Sequence, residues 1–394
     1  MQFRRKIQEY LEKQISTREI VVLTGMRRTG KTTLLKMIYD KIDDENKVFL
    51  DLENILDQRV FEESDFNNIW SNLSAFGITK SKKSYLFIDE VQLMPSIVRI
   101  VKYLFDHYDV KFFLTGSSSF YLKNLFPESL AGRKNIFHLS PLTFQEFLVF
   151  KGHKFDRNTS FLEKDKLKNK IKHEKLTKLV DEYIRYGGFP QVVLENNIEK
   201  KRDALSDIFN SYFQHDVRIL ADFKKIDAFK KLLLLLSKRV GSKLDITKLA
   251  SNISVSRETV YNYLSFLENT YFIKLLSPFS QNIDREVSGA KKIYLCDTGI
   301  LNLIGNTSDG SLFENAVLMN LIDYNNTNYY QKRTGAEIDF LIGDINTALE
   351  VKVTGDSADL RKLKNNASKI GFNKAFVITR EFSSIEGIVP FEEL

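Results

Sequence analysis

The chain has 394 residues, 43% of them apolar and 28% charged, with 18 glycines, 6 prolines and a net charge of +7. Composition of this kind excludes a collagenous or wholly disordered chain, and the length holds roughly two to four ordinary domains. The longest uninterrupted apolar run, Leu232 to Leu236, is far short of the ~20 residues of a membrane helix. One cysteine, Cys296, excludes an internal disulfide framework or a cysteine zinc cluster.

The opening MQFRRKIQEYLEKQ reads as an amphipathic helix without the apolar core of a secretory signal, so a cytoplasmic protein without a membrane partner is expected. Residues 20–25 (IVVLTG), 47–53 (KVFLDLE), 84–90 (SYLFIDE) and 111–117 (KFFLTGS) read as strands. Helical stretches at 31–42, about 66–76 and 96–107 separate them. Strands that are apolar throughout, each followed by a helix, predict an α/β doubly wound parallel sheet. Residues 151–225 read as helical and hold the basic excess, 17 basic against 12 acidic residues, broken at Gly187-Gly188-Phe189-Pro190. That excess is either a solvated helix face or a surface that attracts phosphate. Short helices follow over 226–277, then a mixed α/β segment from Lys291 onward. The expected boundaries are 1–150, 151–225, 226–290 and 291–394.

Gly25-Met26-Arg27-Arg28-Thr29-Gly30-Lys31-Thr32 matches G-x-x-x-x-G-K-[ST] in full, after a predicted strand and before a predicted helix. Glycines let main-chain N–H groups crowd phosphate oxygens, and the helix start adds positive potential. ATP is the expected cofactor, with Gly25, Arg28, Thr29, Gly30, Lys31, Thr32 and Thr33 around its phosphates. Lys31 would reach the β- and γ-phosphates and Thr32 would hold Mg²⁺. The strand Leu86-Phe87-Ile88 ends in Asp89, suited to the Mg²⁺ shell, and Glu90, suited to polarising water. Thr115 and Ser117 stand at the next strand end as γ-phosphate sensors. Arg133 is a candidate arginine finger, supplied within a homo-oligomer by a neighbouring subunit.

Asp245 to Ala250, a turn at Ser254-Val255-Ser256, and a helix from Arg257 to about Asn269 read as helix–turn–helix, with Ser256 and Thr259 at the N-cap and a wing strand at 271–276. Arg257, Thr259, Tyr261 and Asn262 would be its reading residues if the module contacts DNA; an interdomain role is the alternative. Near the end, EIDFLI (337–342) and ALEVKV (348–353) alternate and read as a hairpin. Period-2 geometry puts Glu350 and Lys352 on one face, with Asp339 across from Glu350. Two carboxylates and a lysine, with Glu314 from an upstream helix, can hold Mg²⁺ or Mn²⁺ and steady an attacking water. Gln331, Lys332 and Arg333 precede the hairpin and can meet a phosphate backbone. The alternative is a solvated Glu–Lys cross-strand pair.

GMRRTGKTT, LFIDEVQ, FFLTGSSS, LAGR, LSPLTFQEF and YGGFPQVV resemble the AAA+-type ATPases of archaea and bacteria, close to their archaeal signalling branch. The resemblance implies a P-loop ATPase core, a helical lid, a winged helix and a C-terminal nuclease-like domain. Asp339 and Glu350-Val351-Lys352 resemble the PD-(D/E)XK nuclease core of restriction enzymes and Holliday junction resolvases, although Ile338 stands where the motif has proline. There the carboxylates hold metal and the lysine assists hydrolysis. Two functions are expected from this: an ATPase that binds and cuts DNA, or a nucleotide-switched regulator whose later domains only dock.

Overall fold

In the computed structural model, Ile20–Thr24 (β1), Lys47–Asp51 (β2), Ser84–Asp89 (β3), Val110–Gly116 (β4) and Lys134–His138 (β5) form a sheet in the order β2-β3-β4-β1-β5. All its neighbouring strands run parallel. The structure describes residues 3–116, 132–154, 160–217, 226–280, 286, 289–305, 307–332 and 335–394. Side chains of β1 alternate between two apolar layers. Ile20 and Val22 join the layer of the helix Ile97–His107, while Val21 and Leu23 join that of the helix Lys31–Lys41. Burying each of these side chains contributes about 1.5–3 kcal/mol, so a strand apolar on both faces is stable only between two helical layers. Of the five strands, β5 was not anticipated. It lies at the sheet edge, its Ile136 is exposed, and its pairing with β1 rather than an apolar pattern makes it a strand.

The chain divides into two compact units: Met1–Ser140 with Asn269–Tyr271, and Pro141–Glu268 with Phe272–Leu394. The segments expected at 151–225, 226–290 and 291–394 lie almost wholly in the second. There the helix Lys170–Tyr186 stops at Gly187, whose φ is +76°, and Pro190 opens the short helix Pro190–Leu194. The helices Ile246–Ile253 and Arg257–Asn269 follow, started by Asp245 and Ser256, whose side chains accept from Lys248 N at 3.0 Å and Thr259 N at 3.1 Å. Next comes an antiparallel ribbon of Ile273–Leu276 (β6) and Lys292–Leu295 (β7).

A second sheet, in the order β12-β11-β10-β9-β8, is built from Thr327–Gln331 (β8), Glu337–Ile342 (β9), Thr347–Lys352 (β10), Lys374–Thr379 (β11) and Ile388–Pro390 (β12). The expected hairpin is β9–β10, antiparallel with Leu349 opposite Phe340. The helix Ser357–Ser368 packs Leu360, Leu363 and Ala367 into one core with Ile338, Ala348 and Val377. Among the described residues, no helix is long and apolar enough to cross a membrane.

Candidate functional site

In the first unit, β1 runs straight into the glycine loop, and β4 and β3 follow it in the sheet, so the C-terminal ends of three strands meet. Gly25 has φ +147°, and a Cβ there would lie 2.2 Å from the Leu139 carbonyl oxygen; only glycine fits. Gly30 at φ +96° immediately precedes the helix Lys31–Lys41, leaving that helix's first amides at the loop. The buried Lys31 ammonium donates to the carbonyls of Gly25 at 2.9 Å and Met26 at 3.1 Å. The Thr29 hydroxyl donates to Met26 O at 2.9 Å. Arg28 takes a left-handed φ of +64° and is exposed, as is Thr33. One loop contact escaped sequence reasoning: the Arg5 guanidinium donates to Thr29 O at 3.0 Å and Ser140 O at 2.8 Å.

Asp89 ends β3 as a buried carboxylate. The Thr32 hydroxyl donates to its Oδ2 at 2.6 Å, and the Thr115 hydroxyl donates to its Oδ1. Burial pushes the Asp89 carboxyl up, against the pull of these two hydroxyls. Glu90 turns left-handed at φ +53°, and its amide donates to Thr115 Oγ1 at 3.1 Å, while the Gln92 amide donates to its carboxylate. Thr115 thus grips both acids. Ser117 lies outside the described residues. Arg133 stands elsewhere: it precedes β5, whose Lys134 aligns with Ile20 at the start of β1, the sheet edge opposite the loop, and it pairs with Asp106 at 3.3 Å. Within its own unit it is no finger.

The second unit gathers acids at one end of its sheet. Glu314 projects from the helix Asp309–Asn320, Glu337 and Asp339 from one face of β9, and Glu350 from β10. Lys352 pairs with Glu350 at 2.9 Å, as the same-face expectation requires. Asp339 Oδ2 accepts from the Val351 amide at 2.8 Å instead of facing open space. Two further residues were missed by sequence reasoning. Lys292, on β7, places its ammonium 2.7 Å from Glu337 and 3.8 Å from both Glu314 and Asp339. Tyr294 donates to Glu314 Oε1 at 2.6 Å. Alternation in Glu337-Ile338-Asp339 marks Glu337 on Asp339's face; nothing local marks Lys292 as their partner.

Burial pushes the Glu350 carboxyl up to about 7, reinforced by Asp339, and Glu314 to about 7 likewise. Burial works against the Lys292 ammonium, but Glu314, Asp339 and Glu337 outweigh it and hold it above the ordinary lysine value. Among the described residues, no group of three or more His, Cys, Asp or Glu is arranged to hold a metal. Glu314, Asp339 and Glu350, the expected metal set, lie as neighbours around Lys292 and Lys352. In the helix–turn–helix, Arg257, Tyr261 and Asn262 are exposed and Thr259 is half-buried. Gln331 and Lys332 lie at and just after the end of β8; Arg333 is outside the described residues.

Residues 17–148 match the AAA domain family. That family implies nucleotide and Mg²⁺ binding in general, and the loop and β3 end supply residues of the right kind. Residues 177–310 and 309–391 match two domains of unknown function, DUF8612 and DUF4143. An uncharacterized protein of Methanocaldococcus jannaschii is 29% identical over 97% of this chain and 89% of its own length. One of Haemophilus influenzae is 27% identical over 97% and 96%. Among solved structures, the Thermotoga maritima RuvB Holliday junction branch migration motor is 15% identical, covering 69% of this chain and 89% of that one, at a TM-score of 0.31. Aeropyrum pernix Orc1 in complex with DNA is 12% identical, covering 77% and 92%, at 0.32.

Proposed function

We propose that this protein is a Mg²⁺-dependent ATPase that couples its nucleotide state to DNA. The observation that carries the ATPase reading is the chain Thr32–Asp89–Thr115–Glu90 at the mouth of the glycine loop. A hydroxyl and a carboxylate 2.6 Å apart are hard oxygen donors of the type Mg²⁺ takes. When bound, Mg²⁺ withdraws charge from the phosphate oxygens. The chain's own residues do the rest. Loop amides and Lys31 hold the phosphates, with Lys31 exchanging two loop carbonyls for phosphate oxygens. Thr32 and Asp89 hold the cation. Glu90, released from Gln92, orients and polarises the attacking water, and Thr115 fixes the spacing of both acids. Arg133 acts only if a second copy presents it.

The DNA part is supported by the helix–turn–helix with Arg257, Tyr261 and Asn262 exposed, and by the basic excess over 151–225. Cleavage of DNA, branched DNA included, would fall to Glu314, Asp339, Glu350 and Lys352, and requires the Lys292 ammonium to leave the acids. A second reading, a nucleotide-switched regulator whose later modules only dock, is favoured by the Lys292 ammonium among the acids. Mg·ATP calorimetry and steady-state hydrolysis test the first claim. Binding is expected for the wild type and lost in Lys31→Ala, and Glu90→Gln should bind without turning over. No heat with Mg·ATP ends the ATPase reading. Titration of linear and four-way DNA against salt then decides the rest. A steep salt slope and cutting lost in Glu350→Ala support the nuclease; no binding at low salt supports the switch.

A further inference from the structure

Lys292 and Tyr294 are two residues apart on β7, so the pleat sends both side chains to one side, toward Glu314 and β9. The Lys292 side chain is only 2% exposed and its ammonium faces three carboxylates, at 2.7 Å from Glu337 and 3.8 Å from Glu314 and Asp339. One oxygen of each of three acids is taken by the chain's own donors. Glu314 Oε1 accepts from the Tyr294 hydroxyl, Asp339 Oδ2 from the Val351 amide, and Glu350 Oε1 from Lys352. On the other side of Glu314 the backbone at Gly241 approaches so closely that a Cβ there would lie 2.8 Å from Oε2. A divalent cation needs several oxygens turned toward it at about 2.0–2.6 Å. It also cannot share that space with an ammonium, because like charges a few ångströms apart in a buried site repel strongly.

We propose that Lys292 is the resident cation of this carboxylate cluster, and that a divalent metal reaches Glu314 and Asp339 only where its ammonium is removed. A buried ammonium with three acid neighbours is held by charge pairing, and deleting it leaves unpaired carboxylates that attract another cation.

Mn²⁺ is the probe. Electron paramagnetic resonance titrates it into nucleotide-free full-length protein carrying Thr32→Ala, which silences the phosphate-loop site. In that background, Lys292→Met is expected to gain one Mn²⁺ site and to bind roughly tenfold or more tightly than the parent. Lys292→Arg, which keeps a cation in place, should show no gain, and adding Asp339→Asn to Lys292→Met should erase it. The proposal falls if the parent already binds Mn²⁺ as tightly through Asp339, or if a natively folded Lys292→Met gains nothing. Lys292→Gln serves if the Met variant does not fold. If neither folds, the parent decides: an Asp339-dependent Mn²⁺ site refutes the proposal and its absence upholds it. No step uses ATP, so failure of the ATPase reading leaves this result standing.

Discussion

Thr115 has no exposed surface and no chemistry of its own, yet its hydroxyl donates to Asp89 and accepts from the Glu90 amide. Valine has the same shape without the hydroxyl, so Thr115→Val removes one hydrogen bond from the Asp89 carboxylate and one acceptor from the Glu90 amide. Loss of an outer partner of a metal-ligating carboxylate typically lowers metal affinity or activity about 10–100-fold. The expected outcome is a fall of that size in kcat for ATP hydrolysis with little change in ATP affinity, and recovery in Thr115→Ser. Equal losses in kcat and affinity, or none, would make Thr115 a mere packing residue. The sequence shows Thr115 at a strand end beside the phosphate loop and suggests a γ-phosphate sensor. That it also bonds Asp89 and the Glu90 amide depends on β3 and β4 being neighbours.

At the scale of elements, caps and glycines fix where helices begin and end, and one cap carries a charge in an unusual place. Asp297 starts the helix Thr298–Ile304, accepting from Ile300 N at 3.1 Å and from Gly188 N at 2.6 Å. Burial pushes its carboxyl up to about 6, although backbone hydrogen bonds pull it down. The unfolded carboxyl releases its proton near the ordinary aspartate value of 3.8. Between those values the folded state holds the proton the unfolded state has lost, so stability falls as pH rises from about 4 to about 6. Asp297→Asn cannot ionise and is free of this dependence. Urea unfolding at a series of pH values should show the stability difference moving in the variant's favour by up to about 3 kcal/mol between pH 4 and 7. Parallel profiles would show that Asp297 does not titrate in this window. The capping role is legible in Cys296-Asp297-Thr298; the close packing on its carboxylate comes from Gly187, more than a hundred residues earlier, where a Cβ would lie 2.0 Å from Asp297 Oδ1.

Across the whole molecule, the nucleotide site belongs entirely to the unit Met1–Ser140 with Asn269–Tyr271, and the carboxylate cluster entirely to the other. Ligand that binds only the folded form stabilises it by RT ln(1 + [L]/Kd), about 2.7 kcal/mol at 100 times Kd. Scanning calorimetry with Mg·ATP at that excess should therefore raise one unfolding transition and leave the other, and Lys31→Ala should cancel the rise. A common shift of all transitions would mean that the units melt as one.

What the sequence settles by itself is local. G-x-x-x-x-G-K-T before a helix, four apolar runs of strand length and the alternation of EIDFLI and ALEVKV each depend on neighbours a few residues away. Backbone reach and side-chain period then dictate the loop, the strands and the face shared by Glu350 and Lys352. The edge strand β5, the placement of Arg133 far from the loop and the seat of Lys292 among three acids come only from strand order and packing. An edge strand needs a partner's hydrogen bonds more than an apolar pattern. A charge's meaning is set by what lies within about 4 Å of it, and for Lys292 those neighbours arrive from a helix and a strand on separate stretches of chain.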